Sequence, residues 1–140
     1  MMDSTTGPID TITLETIRHG LESLADEMAI TVMRTAYSGI VKEALDYSTA
    51  FCDPAGQVVS QGLTIVLHLG SFPDAVNSVL TKYAGSIAPE DVFILNDPYT
   101  SGGIHLPDIY IIKPVFIAGG LEGFSCALAH QTDVGGMVPG

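Results

Sequence analysis

The stretch IYIIKPVFIAGGLEGFSCALAH, residues 109–130, decides the fold. Its ends, IYIIKPVF and FSCALAH, are apolar runs, and AGGLEG between them supplies the glycines of a turn. The segment predicts an antiparallel hairpin. Proline cannot donate to a strand ladder, so Lys113-Pro114 predicts an edge or a bulge at that point. With the turn near residues 118–123, a short connection sets the register and places Asp108 opposite a residue between 130 and 134. His130 and Asp133 mark the two ends of that window. Directly opposed side chains have Cβ atoms about 5 Å apart, so residues 22 positions apart in sequence meet at one corner of a sheet.

Outward from the hairpin the chain reads as α+β. Leu14, Ile17, Leu21, Leu24, Met28 and Val32 recur at threes and fours, the period of an amphipathic helix of about 20 residues. Asp10 or Thr11 caps it, Gly39 follows its end, and its stripe faces a core or another subunit. YSTAFCD and QVVSQ flank PAG and predict a second hairpin. LTIVLHLG, residues 63–70, reads as a strand ending at glycine, and DVFILN, residues 91–96, as a buried strand. Ser71, Pro73 and Asp74 open a shorter second helix that Gly85 closes. The expected architecture is a largely antiparallel sheet with a long N-terminal helix and a shorter second one, in a single unit over residues 1–140.

The chemistry gathers at the open end of the hairpin, which NDPYTSGGIHLPD precedes and QTDVGG follows. Pro107 forbids regular helix in the HLPD corner and biases Leu106 toward extended backbone, which brings His105 to the same rim. His105, Asp108 and His130 are then two imidazoles and a carboxylate, the composition of a divalent-metal site with positions left open for water or substrate. Such an ion lowers the pKa of bound water or polarises a carbonyl. Gly102 and Gly103 let backbone pass close to a ligand. Hydrogen-bonded structural histidines at a strand end share this pattern, and spacing alone leaves both readings open. Asp97 in NDP is turn chemistry first and a site carboxylate second. His68 reads as a buried core histidine, with a place behind the site or against substrate as the alternative. Glu43 and Asp46 are solvated charges or site carboxylates, and position does not choose between them.

Composition removes several classes. A net charge of −11 with five Lys plus Arg repels a phosphate backbone and an anionic membrane. Cys52 and Cys126 have no metal or redox spacing and read as small buried hydrophobes in a reducing compartment. MMDSTTGPID lacks the basic and apolar regions of a signal peptide, and no apolar run reaches about 18 residues. The cytoplasm is the expected location. There is no GxxxxGK[ST] loop, no GxGxxG after a strand and no GxSxG elbow, so ATP has no standard P-loop here. The sequence ends on VGGMVPG, and the expectation is that residues 1–140 are the front part of something longer.

ITLETIRHGLESLADEMAITVMRTAYSGIVKEALDYSTAFCDPAGQVVSQ, LHLGSFPDAV, NDPYTSGGIHLPDI, PVF and AHQTDVGGMVPG, in that order, resemble the N-terminal part of the hydantoinase B family. The family includes B subunits of ATP-dependent N-methylhydantoinases, the matching half of 5-oxoprolinases, caprolactamase, and large subunits of acetone and acetophenone carboxylases. The resemblance implies a hetero-oligomer in which a hydantoinase A-type subunit, with an actin-like ATPase fold, uses ATP to phosphorylate a small cyclic amide or ketone. The B-type subunit completes hydrolysis or carboxylation at zinc, manganese or another divalent ion. Carried over by position, His105, Asp108 and His130 become metal ligands, Glu43 a candidate base, and Asp133 the aspartate of DVGG. Members often read HHxDVGG where this chain has Gln131, which puts proton transfer at that position in doubt. The resemblance implies a cyclic-amide hydrolase, with a ketone carboxylase or a non-catalytic assembly module as alternatives.

Overall fold

The computed structural model describes residues 9–138. Residues 1–8, which carry most of the signal-peptide reading, and 139–140, at the end of VGGMVPG, lie outside the described part. One antiparallel sheet has the strand order β2-β1-β5-β4-β3. Its strands are β1 Tyr47–Cys52, β2 Val58–Gln61, β3 Phe93–Leu95, β4 Asp108–Ile117 and β5 Gly120–His130. Helix α1, Thr11–Thr35, packs on one face and α3, Phe72–Lys82, on the other; α2, Gly39–Lys42, and α4, Pro98–Ser101, are single turns. The α+β architecture expected from the sequence is the one observed.

Alternation along the strands divides the core. Ala50, Cys52, Tyr110, Ile112, Phe124, Cys126 and Leu128 pack against Phe72, Ala75, Val76 and Val79 of α3. Cys52 and Cys126 are free buried thiols within this cluster. Tyr47 and Thr49 turn to the other face, where Tyr47 packs with Ala29 and Val41, and the Thr49 hydroxyl donates to the Ala25 carbonyl at 2.9 Å. Contact there is made over small residues. A Cβ on Gly62 would stand 2.3 Å from Thr49 Oγ1 and 2.6 Å from the Ala25 carbonyl oxygen. Ala25 and Ala29 are the buried positions of α1, whereas Leu14, Ile17 and Leu24 of the apolar stripe are exposed. Asp10 caps the helix by accepting from the Ile12 and Thr13 amides, each at 3.0 Å.

Two expected strands differ. LTIVLHLG forms no strand: Val66–Ser71 is a 3-10 helix leading into α3. An apolar run this short has no decisive period, and here Val66 and Leu67 face solvent while His68 is buried. DVFILN contributes only the three residues of β3, an edge strand with Ile94 69% exposed, so it is not a buried strand. Lys113-Pro114 fits within β4 where β3 no longer runs alongside: β3 begins at Phe93, opposite Ile112, and pairs only with Tyr110–Ile112.

The β4–β5 register carries one irregularity. Ala118 and Gly119, with φ of 50° and 87°, form a two-residue turn between Ile117 and Gly120, the left-handed pair of a type I′ hairpin. Phe116 pairs with Leu121, but Val115 pairs with Gly123, so Glu122 is an extra residue on β5. From there the ladder runs to Asp108 opposite His130, the near edge of the window expected from the sequence. At this bulge β1 comes close, and a Cβ on Gly123 would lie 2.4 Å from the Cys52 carbonyl oxygen.

Gly123→Ala is expected to destabilise the fold by about 1–3 kcal/mol, the cost of overpacking. Gly20→Ala, on a helical position with nothing within 4 Å of the new Cβ, is expected to stabilise by up to about 1 kcal/mol. Urea denaturation midpoints that move in the same direction for both would contradict this packing.

Candidate metal centre

Three strand ends meet at one edge of the sheet. Asp108 at the start of β4 pairs with His130 at the end of β5, and the His130 amide donates to the carbonyl of Asp46, just before β1, at 3.1 Å. Asp46, His130 and Asp108 therefore stand side by side, in phase with the strand positions that face α3. His105 joins through the preceding loop. The Asp108 amide donates to the His105 carbonyl at 3.2 Å, the Gln131 amide to Pro107 at 2.9 Å, and Asn96 Nδ2 to Leu106 at 3.1 Å. At the loop's start Asp97 caps α4 by accepting from the Tyr99 amide at 2.9 Å. Gly102 ends α4 at φ +70°, where a Cβ would be 2.9 Å from the Asp74 side chain.

His130 Nδ1 lies 3.4 Å and His105 Nδ1 3.7 Å from Asp108 Oδ1. The two rings meet edge to face with centroids 4.8 Å apart. Asp108 is 1% exposed, yet among the described residues neither of its oxygens has a hydrogen-bond partner. The histidine nitrogens approach the carboxylate in distance without forming aligned hydrogen bonds. Leaving a carboxylate dry and unpaired costs several kcal/mol, so the arrangement needs a positive charge. Two ligand atoms on a tetrahedral ion with bonds near 2.1 Å are separated by about 3.4 Å, close to the 3.4 and 3.7 Å from Asp108 Oδ1 to the two Nδ1 atoms, while all three candidate ligand atoms lie within 4.8 Å of one another. Two imidazoles and one carboxylate suit zinc or manganese. His105 is 45% exposed along its side chain and His130 20%, which leaves one side of the group open.

Behind this group lies a second polar line. Asp46 Oδ2 is 4.0 Å from His130 Nδ1, and Asp46 Oδ1 is 3.7 Å from His68 Nε2. Leu45, immediately before Asp46, has φ +57°, a left-handed conformation that costs a leucine about 1–2 kcal/mol. The structure thus brings together His105, Asp108, His130 and, through Asp46, His68. Glu43 is exposed at the end of α2, and Asp133 is exposed with Oδ1 accepting from the Gly135 amide at 2.8 Å. No side-chain ion pair or hydrogen bond joins either to the group among the described residues. Gly103 lies beside Tyr110, whose Cε2 would be 3.3 Å from an added Cβ. Burial pushes the Tyr110 phenol up from its ordinary pKa. A cleft of about 930 Å³ between α3, the β3 edge and α4 borders Asp97 and Gly102 but contains none of the three candidate ligands.

Asp46 is the contact that sequence reasoning left undecided. Its signal is the β1–β5 ladder, in which Tyr47 opposite Ala129 places Asp46 beside His130.

An antiparallel α+β unit carrying a His-Asp-His group at its strand ends defines the class. The chain matches the family described as Hydantoinase B/oxoprolinase over residues 10–140 and belongs to that family. It is 38% identical over 131 residues to the caprolactamase subunit beta of Pseudomonas jessenii, covering 94% of this chain and 22% of that protein. It is 36% identical over 131 residues to 5-oxoprolinase 1 of Arabidopsis thaliana, covering 94% of this chain and 10% of the relative. The crystal structure of the ATP-dependent caprolactamase superposes with a TM-score of 0.85 at 38% identity, over 95% of this chain and 23% of that one. A nucleotide-free acetone carboxylase structure also superposes at 0.85, over 94% of this chain and 17% of that one, and at 24% identity it shows the shared fold alone. The chain thus spans between a tenth and a quarter of the length of these relatives.

Asp108→Asn separates the metal reading from ordinary packing. The change replaces a buried carboxylate that has no hydrogen-bond partner among the described residues, so the metal-free protein is expected to gain stability. The wild type should gain about 2.7 kcal/mol at an ion concentration of 100 Kd, and the variant little or none. Thermal unfolding with and without zinc or manganese measures both, and a variant destabilised without metal and still stabilised by it would contradict the assignment.

Proposed function

We propose that this chain carries the metal centre of a B-type subunit of an ATP-dependent cyclic-amide hydrolase, of the hydantoinase or 5-oxoprolinase type. The observation that supports it most is the buried, unpartnered Asp108 carboxylate between His105 and His130. It occurs in a chain 36–38% identical to a 5-oxoprolinase and a caprolactamase subunit. His105, Asp108 and His130 hold the ion, and Asp46 stands behind His130, its Oδ2 4.0 Å from Nδ1. A bound divalent ion supplies Lewis acidity, polarising a carbonyl or lowering the pKa of water. Glu43, three residues before Asp46, and Asp133, three after His130, are exposed carboxylates near the ligands in sequence. They are the groups proposed to exchange protons with solvent. Gln131 takes no part in acid-base chemistry: it is a neutral amide whose Nε2 donates to the Ala129 carbonyl at 3.2 Å.

In this reading the phosphoryl chemistry belongs to an A-type partner with an actin-like ATPase fold, in a hetero-oligomer in the cytoplasm. The caprolactamase relative is named as a subunit beta, which supports a partner. Among the described residues no helix is long and apolar enough to cross a membrane. Amide hydrolysis is preferred to ketone carboxylation because the amide-hydrolase relatives have the higher identity, while the likeness to acetone carboxylase carries the fold alone.

The test is turnover by the full-length protein with its ATPase partner. Ring opening of a lactam or 5-oxoproline is expected to require ATP, and His105→Ala should lower kcat at least about 100-fold. Turnover of a ketone that depends on bicarbonate would transfer the protein to the carboxylases. Partner binding without metal or turnover would make it an assembly module.

A further inference from the structure

We propose that His68 is a positioning residue that holds the Asp46 carboxylate toward His130; this rests on the metal-centre reading above. His68 is 3% exposed and is tied down at both its main chain and its ring. Ser71 Oγ donates to the His68 carbonyl at 2.6 Å, and the Tyr110 hydroxyl donates to Ser71 Oγ at 2.6 Å. Tyr110 lies on β4 two residues from Asp108, so the 3-10 turn carrying His68 is fastened to the strand that carries the buried carboxylate.

The ring is fixed by the chemistry of one hydroxyl. Ser48 Oγ has a single hydrogen, and it goes to the Ile65 carbonyl at 2.7 Å. Toward His68 Nδ1, at 3.2 Å, Ser48 can then only accept, so Nδ1 is the ring nitrogen that donates. That sets both the tautomer and the plane of the ring, and it presents the Nε2 edge to Asp46 Oδ1 at 3.7 Å. In that neutral tautomer the Nε2 edge is an acceptor, so it meets the carboxylate through a hydrogen set between them, from a water donating to both groups or from the ring when it carries both hydrogens. Oδ2 of the same carboxylate faces His130 Nδ1 at 4.0 Å. One carboxylate therefore spans two imidazoles, one anchored in the core and one in the ligand set. Groups behind a metal site that orient its contacts in this way govern affinity as well as activity.

Calorimetric titration of zinc or manganese into the metal-free full chain tests the role. His68→Asn keeps a donor for Ser48 and removes the edge facing Asp46. It is expected to bind metal about 10- to 100-fold more weakly, saturating at the wild-type stoichiometry. Asp46→Asn should lose a similar factor, and the double variant should bind no more weakly than Asp46→Asn alone, because both changes release the same carboxylate. Cobalt loaded in place of the native ion should show shifted visible bands in His68→Asn at saturation. Where His68→Asn does not fold, Ser48→Ala frees the ring and should show the same loss, again absent in the Asp46→Asn background. Wild-type affinity in His68→Asn, or losses that multiply in the double variant, would overturn the positioning role. A wild-type chain that takes up no metal overturns the metal reading itself, a separate outcome.

Discussion

The site depends on a single inserted residue. Glu122 bulges from β5 just after the two-residue turn at Ala118 and Gly119, and from Val115 onward the hairpin pairs one position further along. Side chains alternate faces along a strand, so a one-residue slip reverses every partner. Without the bulge Asp108 would oppose Ala129, and His130 would point to the α1 face. Bulges commonly re-aim side chains beside functional sites. Gly123, next to the bulge, lets β1 approach, and β1 in turn brings Asp46 alongside His130.

A polar group is thereby set at the end of an otherwise apolar layer. Tyr110, Ile112, Leu128 and Phe124 continue the same face of the sheet into the core beneath α3, while Asp108 sits at its rim, buried and without a hydrogen bond. In the metal reading proposed for it, such a carboxylate would weaken the metal-free fold and strengthen the metal-bound one, linking binding free energy to folding free energy. His105 and His130 close the group on two sides and stay partly open to solvent. The Ser48–His68–Asp46 line stands behind it, with the Ser48 hydroxyl donating to the Ile65 carbonyl and lying 3.2 Å from His68 Nδ1.

Local signals made much of this legible. Both hairpins, both main helices, the Asp10 cap and the convergence of His105, Asp108 and His130 follow from periodicity, turn residues and one short loop. Four features did not yield to local reading. LTIVLHLG has strand composition but no partner strand, and it becomes a 3-10 turn whose His68 is buried by contacts with residues far away in sequence. The DVFILN segment keeps only three paired residues because it lies at the sheet edge. Asp46 acquires its place from the β1–β5 ladder, which joins residues more than 70 positions apart, and no window of sequence contains that pairing. The bulge at Glu122 belongs with these, since the glycines around the turn permit several registers.

The most direct measurement of the central claim is X-ray absorption at the metal edge of the zinc- or manganese-loaded full-length protein. The bulge-set register requires a first shell of nitrogen and oxygen at about 2.0–2.2 Å, with the outer scattering of two imidazoles, one of which disappears in His130→Ala. A shell containing sulfur, or one that keeps both imidazoles in His130→Ala, would show that the ion sits elsewhere and that the pairing of Asp108 with His130 does not build the site.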